Sequence, residues 1–286
     1  MADALKPFYE DVQAHYDLSD DFFALFLDPS RTYSCAYFRE QDMTLEQAQI
    51  AKVDLALSKC NIEPGQKILD IGCGWGTTAI RAAEEYGADS IGLTLSKNQH
   101  AFASGREVSV DRKVDFVLQG WEEFDQPVDR IVSIGAFEHF RKERHQAFFQ
   151  KCRKLLPDDG WMLLHTIVMN SLSTLKELQV DIGPEDVTFA KFILKEIFPG
   201  GQLCDRERIE KYSVENGFAL EHTEQLGLHY ARTLDIWAEN LSNAKSEAIE
   251  ITSQVVFDRY MKYLTGCADA FRKGTIDIIQ FKLRCA

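Results

Sequence analysis

Apolar positions change their rhythm along this chain. The first sixty residues show no strand alternation. Phe22, Phe23, Leu25, Phe26 and Leu27 crowd one short stretch and predict a helix with an apolar face. Thr44-Leu45-Glu46-Gln47 has the side-chain pattern of a capping box and opens a helix through Ile50, Val53 and Leu57, which Pro64-Gly65 stops. From Lys67 onward, short apolar runs alternate with amphipathic ones. Strands are expected at Lys67–Ile71, Ser90–Leu95, Val114–Leu118, Val128–Ile134 and Trp161–Ile167. Helices are expected over about 77–86, from Lys97, and over about 143–155. Such alternation implies right-handed crossovers and a parallel sheet covered on both faces.

Residues 168–200 break the rhythm. They are helical with polar turns and end in Phe198-Pro199-Gly200-Gly201, so they read as an insertion over the C-terminal edge of the sheet, where open α/β sheets bind ligands. A helix near 206–216 and a strand near 218–224 follow, then two long helical patterns across 231–273 and a closing strand over Thr275–Leu283. The expected whole is one α/β domain with seven mostly parallel strands. It comprises an N-terminal helical lid (1–60), a ligand-binding core (61–167), the insertion (168–200) and the rest of the core (201–286).

Composition narrows the partners. In 286 residues, 32 Lys+Arg against 45 Asp+Glu leave a formal charge of −13, which argues against nucleic acid and against broad attraction to an anionic membrane. Hydrophobic residues at 45% and charged residues at 27% exclude disorder. The longest apolar run, Trp161–Met169, falls well short of the ~20 residues of a membrane span. The N-terminus lacks a basic region followed by an apolar one, so no signal peptide is expected. Seven scattered cysteines without a C-x-x-C pair read as reduced thiols in a cytoplasmic protein, with no metal site.

The sharpest local signal is Ile68-Leu69-Asp70-Ile71-Gly72-Cys73-Gly74-Trp75-Gly76, placed between the first strand and the helix after it. Glycines let backbone approach a ligand closely, and the helix N-terminus behind them favours negative charge. No Lys-Ser/Thr pair follows as in a P-loop. The spacing is not that of a dinucleotide loop, and the second strand ends at Thr94-Leu95-Ser96 without the ribose-binding acid. An acid before the first glycine resembles instead the S-adenosylmethionine loop of class I methyltransferases, where a carboxylate pairs with the cofactor's α-amino group. Gln119-Gly120-Trp121-Glu122-Glu123-Phe124 follows the third strand, where that fold places adenine. Trp121 serves there either as core or as an apolar wall for the base, and Glu122 can accept from its amine.

With those residues in view, the chain resembles the mycolic acid cyclopropane synthases of the wider cyclopropane-fatty-acid synthase family. The likeness runs nearly end to end, through VQAHYDLSDDFF (12–23), TYSCAYF (32–38), LDIGCGWG (69–76), GLTLSKNQ (92–99), GWEEFD (120–125), VDRIVSIGAFEHF (128–140), MLLHT (162–166), EIFPGG (196–201), HYARTLD (229–235) and YMKYLTGCADAFR (260–272). It implies a class I methyltransferase fold that joins a methyl carbon to a cis double bond of a long-chain acyl lipid. Tyr33, Ser34, Asp70, Gly72, Gly74, Thr94, Leu95, Gln99, Trp121 and Glu122 then hold S-adenosylmethionine, Gln99 taking part of the ribose contact. The resemblance also implies a bicarbonate ion among Cys35, Ile134, Glu138, His165 and Tyr230, with Cys35 and Ile134 contributing backbone groups.

The chemistry explains these residue types. A methyl sulfonium is an electrophile and an isolated alkene a poor nucleophile. Transfer leaves a carbocation, and ring closure needs a base for a proton of the added methyl. Water must be excluded and the cation shielded. Tyr16, Tyr33 and Phe140 offer aromatic faces, although core packing suits Phe140 as well. Glu138 can accept from bicarbonate, while His165 and Tyr230 can donate to it. The likeness also brings in Cys267 as a proposed catalytic thiol; a small packing residue is the other reading. Phe189, Phe192, Ile193, Phe198, Trp237 and Tyr260 either line an acyl tunnel or form the insertion's own core. Delivery on an acidic acyl carrier protein would need a basic face, for which Arg141, Lys142, Arg144, Lys151, Arg153 and Lys154 are the candidates. A sister activity that ends in a hydroxylated or an allylic methyl branch fits the same motifs.

Overall fold

The computed structural model describes residues 5–7, 19–199 and 201–286. Tyr16 lies outside the described residues. The chain runs α1 (Asp20–Ala24), α2 (Leu45–Ser58), β1 (Lys67–Ile71), α3 (Thr77–Tyr86), β2 (Asp89–Thr94), α4 (Lys97–Ser104), β3 (Val114–Leu118) and β4 (Arg130–Ile134). A single 3-10 turn (Phe137–His139) leads into α5 (Lys142–Leu155) and β5 (Trp161–Met169). The insertion holds α6 (Leu172–Glu177), α7 (Pro184–Phe192) and a π-helical turn (Ile193–Ile197). The chain closes with β6 (Cys204–Asp205), α8 (Arg206–Glu215), β7 (Phe218–Gln225), α9 (Gly227–Asn243), α10 (Lys245–Ile251), α11 (Gln254–Lys273) and β8 (Ile276–Cys285).

Among the described residues the sheet has eight strands, not seven. Seven follow the order β3-β2-β1-β4-β5-β8-β7, and β6 pairs with β5 off that path. The eighth escapes a periodicity reading because two residues show no alternation. It takes up the edge of β5 at Val168 and Met169, beyond the last pairing of β4 with β5 at Ile134 and His165. Strands β1 to β5 are parallel, and β8 runs antiparallel between β5 and β7. The helical pattern across 231–273 resolves into three helices, the first starting earlier, at Gly227.

Local chemistry sets these boundaries. Thr44 Oγ1 accepts from the Gln47 amide and Gln47 Oε1 from the Thr44 amide, so the capping box forms as read. Part of the expected lid belongs to the sheet itself: Val53, Ala56 and Leu57 of α2 pack on Ile68, Val132 and Leu163. On the other face, α5 seats Phe148 and Phe149 against Leu69, Ile131 and Met162. A separate aromatic core gathers α1, α9 and α11 at the carboxyl edge of the strands.

Candidate active site

The glycine loop leaves β1 with Gly72, Gly74 and Gly76 all at positive φ, +83°, +54° and +91°. Amides of Gly72 and Cys73 both donate to Leu93 O, pinning the loop across the end of β2. A Cβ on Gly72 would stand 2.4 Å from that of Ala136, whereas one on Gly74 would meet open space. Gly72 therefore serves packing and Gly74 serves approach. The loop opens onto a cavity lined by Tyr33, Ser34, Asp70, Gly72, Gly74, Thr94, Leu95, Gln99, Trp121 and Glu122, every residue expected to hold the cofactor.

Asp70 is the informative member. It is 2% exposed, and its Oδ2 has no hydrogen-bond partner among the described residues. Burial pushes its carboxyl up to about 7, and the nearby Lys52 pulls it back only in part. A carboxylate orphaned at a glycine cradle is what an α-ammonium group would satisfy, so these residues fit S-adenosylmethionine. Thr94 Oγ1 donates to Gln99 Oε1 at 2.9 Å, which turns the Gln99 amide nitrogen toward other acceptors. Trp121 is 5% exposed and packs edge-on against Phe148, so it is both core and cavity wall.

Glu122 lines the cavity and also has a partner that the sequence did not show. Its Oε1 accepts from Arg144 Nη1 at 2.7 Å. That ion pair, rather than an amine of adenine alone, defines its surroundings. The same pair removes Arg144 from the expected basic face. Lys151 and Lys154 reach Asp125, and Arg153 reaches Asp158. Four of the six cations expected on this face thus have acidic partners, in loops that the helix's own sequence does not reveal.

The second group of residues stands behind Ser34 and Gly135. Asp28 holds the approach to it, accepting from the amides of Ser30 and Thr32. A Cβ on Gly135 would lie 3.6 Å from Ser34 Cβ and 3.8 Å from Glu138 Oε1, so these three converge. Glu138, in the 3-10 turn after β4, accepts from Thr166 Oγ1 at 2.9 Å, and its burial raises the carboxyl to about 7. His165 precedes Thr166 on β5 and leaves the strand on its other face, toward Lys52, whose Nζ reaches Ser34 Oγ beside Gly135 and Glu138. Its Nδ1 meets Gln280 Nε2 at 3.2 Å, and its buried Nε2 has no partner among the described residues. Burial, with Lys52 and Lys59 nearby, holds this ring well below the ordinary histidine range. Tyr230 is 7% exposed, and its phenol is pushed well up by burial and by the neighbouring Tyr33, Cys35 and Glu138. Cys35 is fully buried, with Sγ directed at the carbonyls of Ala36 and Leu226. Ile134 ends β4 on the cavity wall. Burial raises the Cys267 thiol to about 12, so it stays protonated.

Lys52 escaped the sequence reading altogether. It is fully buried, its Nζ donates to Ser34 Oγ at 2.9 Å, and burial lowers its ammonium to about 8. The signal was available: Gln49, Lys52, Val53 and Ala56 share the helical i, i+3, i+4, i+7 face that α2 turns inward. Gln49 Nε2 adds a bond to Ser34 O.

Tyr33 joins the cavity to the aromatic core. It lines the cavity, lies 5.3 Å from the Trp237 ring and 5.2 Å from Phe23, and meets the Tyr263 hydroxyl. Phe26, Tyr230 and Tyr260 extend the cluster. Phe198 packs on Tyr263 and His139, Phe189 and Phe192 pack on each other, and Phe192 and Ile193 also lie against the aromatic core. Phe140 packs on Phe137 and Phe148, within the core, and also reaches the cavity wall.

The sequence profile described as mycolic acid cyclopropane synthetase matches residues 4–281. The chain is 55% identical over 285 residues to cyclopropane mycolic acid synthase MmaA2 of Mycobacterium tuberculosis (strain ATCC 25618 / H37Rv), covering 99% of each. The solved structure of the M. tuberculosis MmaA2 superimposes with a TM-score of 0.96, over 98% of this chain and 99% of that one. Mycolic acid cyclopropane synthase CmaA1, complexed with SAH and CTAB, follows at 52% identity and a TM-score of 0.93, over 99% and 100%. Coclaurine N-methyltransferase, 21% identical with a TM-score of 0.75 over 98% and 89%, shares the fold alone. No helix among the described residues is long and apolar enough to cross a membrane. With a class I methyltransferase fold and a full-length match, the chain belongs to the mycolic acid cyclopropane synthetase family of S-adenosylmethionine-dependent methyltransferases.

Proposed function

We propose that this protein joins a methyl carbon to the cis double bond of a long-chain unsaturated acyl lipid, a mycolic acid precursor, and closes a cyclopropane with bicarbonate as the base. The observation that carries this reading is the position of Tyr33, at once cavity wall and member of a cluster of aromatic rings. A methyltransferase for small polar molecules needs no such cluster. An alkene that becomes a cation needs both its apolar bulk and its ring faces.

Bound in the cradle, S-adenosylmethionine supplies an electrophilic methyl. Asp70 pairs with its α-ammonium, Gly74 admits its backbone, Gln99 and Leu95 meet the ribose, and Trp121 and Glu122 border adenine. Tyr33, Tyr230 and Trp237 shield the cation that forms on the lipid. The base then takes one proton of the added methyl, and the freed C–H pair forms the ring bond. A bicarbonate ion held there would supply that base and carry the proton away. Its cradle is a donor and acceptor set: Tyr230 hydroxyl and His165 Nε2 donate, Glu138 accepts, and Cys35 and Ile134 offer backbone groups. Cys267 has no step to perform, since a thiol held protonated is a poor base. An acyl carrier protein is the delivery partner in this reading, and the exposed Lys142 and Lys154 keep part of the expected basic face open to it.

The test is proton NMR of the lipid after incubation with S-adenosylmethionine and a cis-monounsaturated long-chain acyl substrate. Upfield cyclopropane resonances are expected. A carbinol or vinylic pattern would assign one of the sister activities, and unchanged lipid would overturn the reading.

A further inference from the structure

Strand β8 lies between β5 and β7, and its register sets three side chains in one transverse row: His165 opposite Gln280, and Gln280 opposite Glu224. Directly opposed residues share a sheet face, so their side chains meet. Lys59, the C-cap of α2, reaches down on this row. Its Nζ donates to Gln280 Oε1 at 2.5 Å and also to Glu224 Oε2. Gln280 and His165 are both fully buried.

The donor and acceptor inventory makes this row directional. An ammonium carries three donors and no acceptor, so the Gln280 amide can offer Lys59 only its oxygen. Its NH2 end is therefore turned to His165, 3.2 Å from Nδ1. An amide NH2 only donates, so Nδ1 must receive with its lone pair. The proton of the neutral ring then sits on Nε2, the nitrogen left buried without a partner among the described residues. Buried polar atoms are as a rule hydrogen-bonded, so an orphaned donor here calls for a ligand acceptor.

We propose that Glu224, Lys59 and Gln280 are positioning residues that hold His165 as one neutral tautomer, with Nδ1 accepting and Nε2 presented as a donor to the anion. The inference rests on the reading above that His165 belongs to the bicarbonate cradle. It explains a requirement of that chemistry. An imidazolium beside bicarbonate would protonate the base before the methyl did. A neutral donor stabilises the anion and leaves its basicity intact. The nearby Lys52 and Lys59 charges and the burial of the ring work in the same direction, against a second proton.

The experiment is long-range proton–nitrogen NMR of the 15N-histidine-labelled full chain, with turnover measured at saturating S-adenosylmethionine. Wild type should show a bare Nδ1 and a protonated Nε2 for His165. Gln280→Glu replaces the NH2 donor with a carboxylate that accepts from Nδ1–H. It should place a proton on Nδ1 and lower kcat at least about tenfold, with cofactor affinity within about twofold. Lys59→Met, which leaves His165 and Gln280 in place, frees the amide to turn over and should yield a mixture of tautomers. Lys59→Arg should restore the single pattern. A protonated Nδ1 in wild type, or a ring unaltered by Gln280→Glu and by Lys59→Met, would overturn the proposal. Wild-type turnover indifferent to removal of bicarbonate, with the tautomer as stated, would sink the anion reading and leave the positioning row standing.

Discussion

The cradle around Asp70 and the cluster around Trp237 meet at Tyr33, yet they are built in opposite ways. Much of the cradle comes from one short stretch of chain, Asp70 to Gln99, in which glycine conformation and strand ends do the positioning. The cluster draws Phe22, Phe23 and Phe26 from one end of the chain and Tyr230, Trp237, Tyr260 and Tyr263 from the other. In the cradle, specificity comes from backbone geometry and one unsatisfied carboxylate. In the cluster it comes from the shape of many rings packed together. A point change should therefore cost function in the first and folding in the second.

Trp237→Ala is the strongest test of that contrast. The indole is fully buried and packs against Phe26, Tyr33 and Tyr230. Its removal should lower unfolding free energy by about 3–5 kcal/mol, read by chemical denaturation. A loss under about 1 kcal/mol would mean that the cluster is no packed core. Asp70→Ala should do the reverse. Cofactor affinity in calorimetry should fall at least about a hundredfold, because a charge-assisted pair in a buried site is lost. Stability should hold or rise, because an unpaired buried carboxyl is gone. Unchanged affinity would end the assignment of the loop.

Glu138→Gln sharpens the boundary between the two regions. It keeps the shape of a group that accepts from Thr166 but removes its charge. Turnover should drop at least about tenfold with cofactor binding intact, as for a lost catalytic polar group. Equal loss in both would place Glu138 in the cradle. Turnover at the wild-type rate would remove it from the chemistry.

The same contrast explains what was legible in the sequence. Asp70, the glycines and the strand rhythm could be read because each depends on neighbours a few residues away. The partners of Lys52 and Gln280 could not, because they come from across the fold. Lys52 sits on an inward helix face that its spacing shows, but Ser34, which it meets, belongs to another segment. Gln280 gains its role only once β8 is inserted antiparallel between β5 and β7. The acidic partners of the α5 cations were hidden for the same reason: Glu122, Asp125 and Asp158 come from other segments. Sequence patterns show which residues are charged, whereas the fold decides which charges remain unpaired.

The smallest expected effect lies in the pH dependence of cofactor binding. Both Asp70 and Glu138 are pushed up to about 7, but only Asp70 must be ionised to pair with the cofactor's ammonium. Affinity should therefore rise with pH through about 7, falling about threefold between pH 7.5 and 6.5 as the carboxyl takes up its proton. Stability of the cofactor-free protein should run the other way. The folded chain holds the Asp70 proton where the unfolded chain, near 3.8, has lost it. That contribution is full below the unfolded value and is lost as pH rises toward about 7. Asp70→Asn should flatten the binding profile, and Glu138→Gln should leave it in place. A flat wild-type profile would mean that Asp70 is ionised before the cofactor arrives. Lys52 would then already neutralise the cradle, and its buried ammonium, rather than the ligand's, would be the partner of the carboxylate.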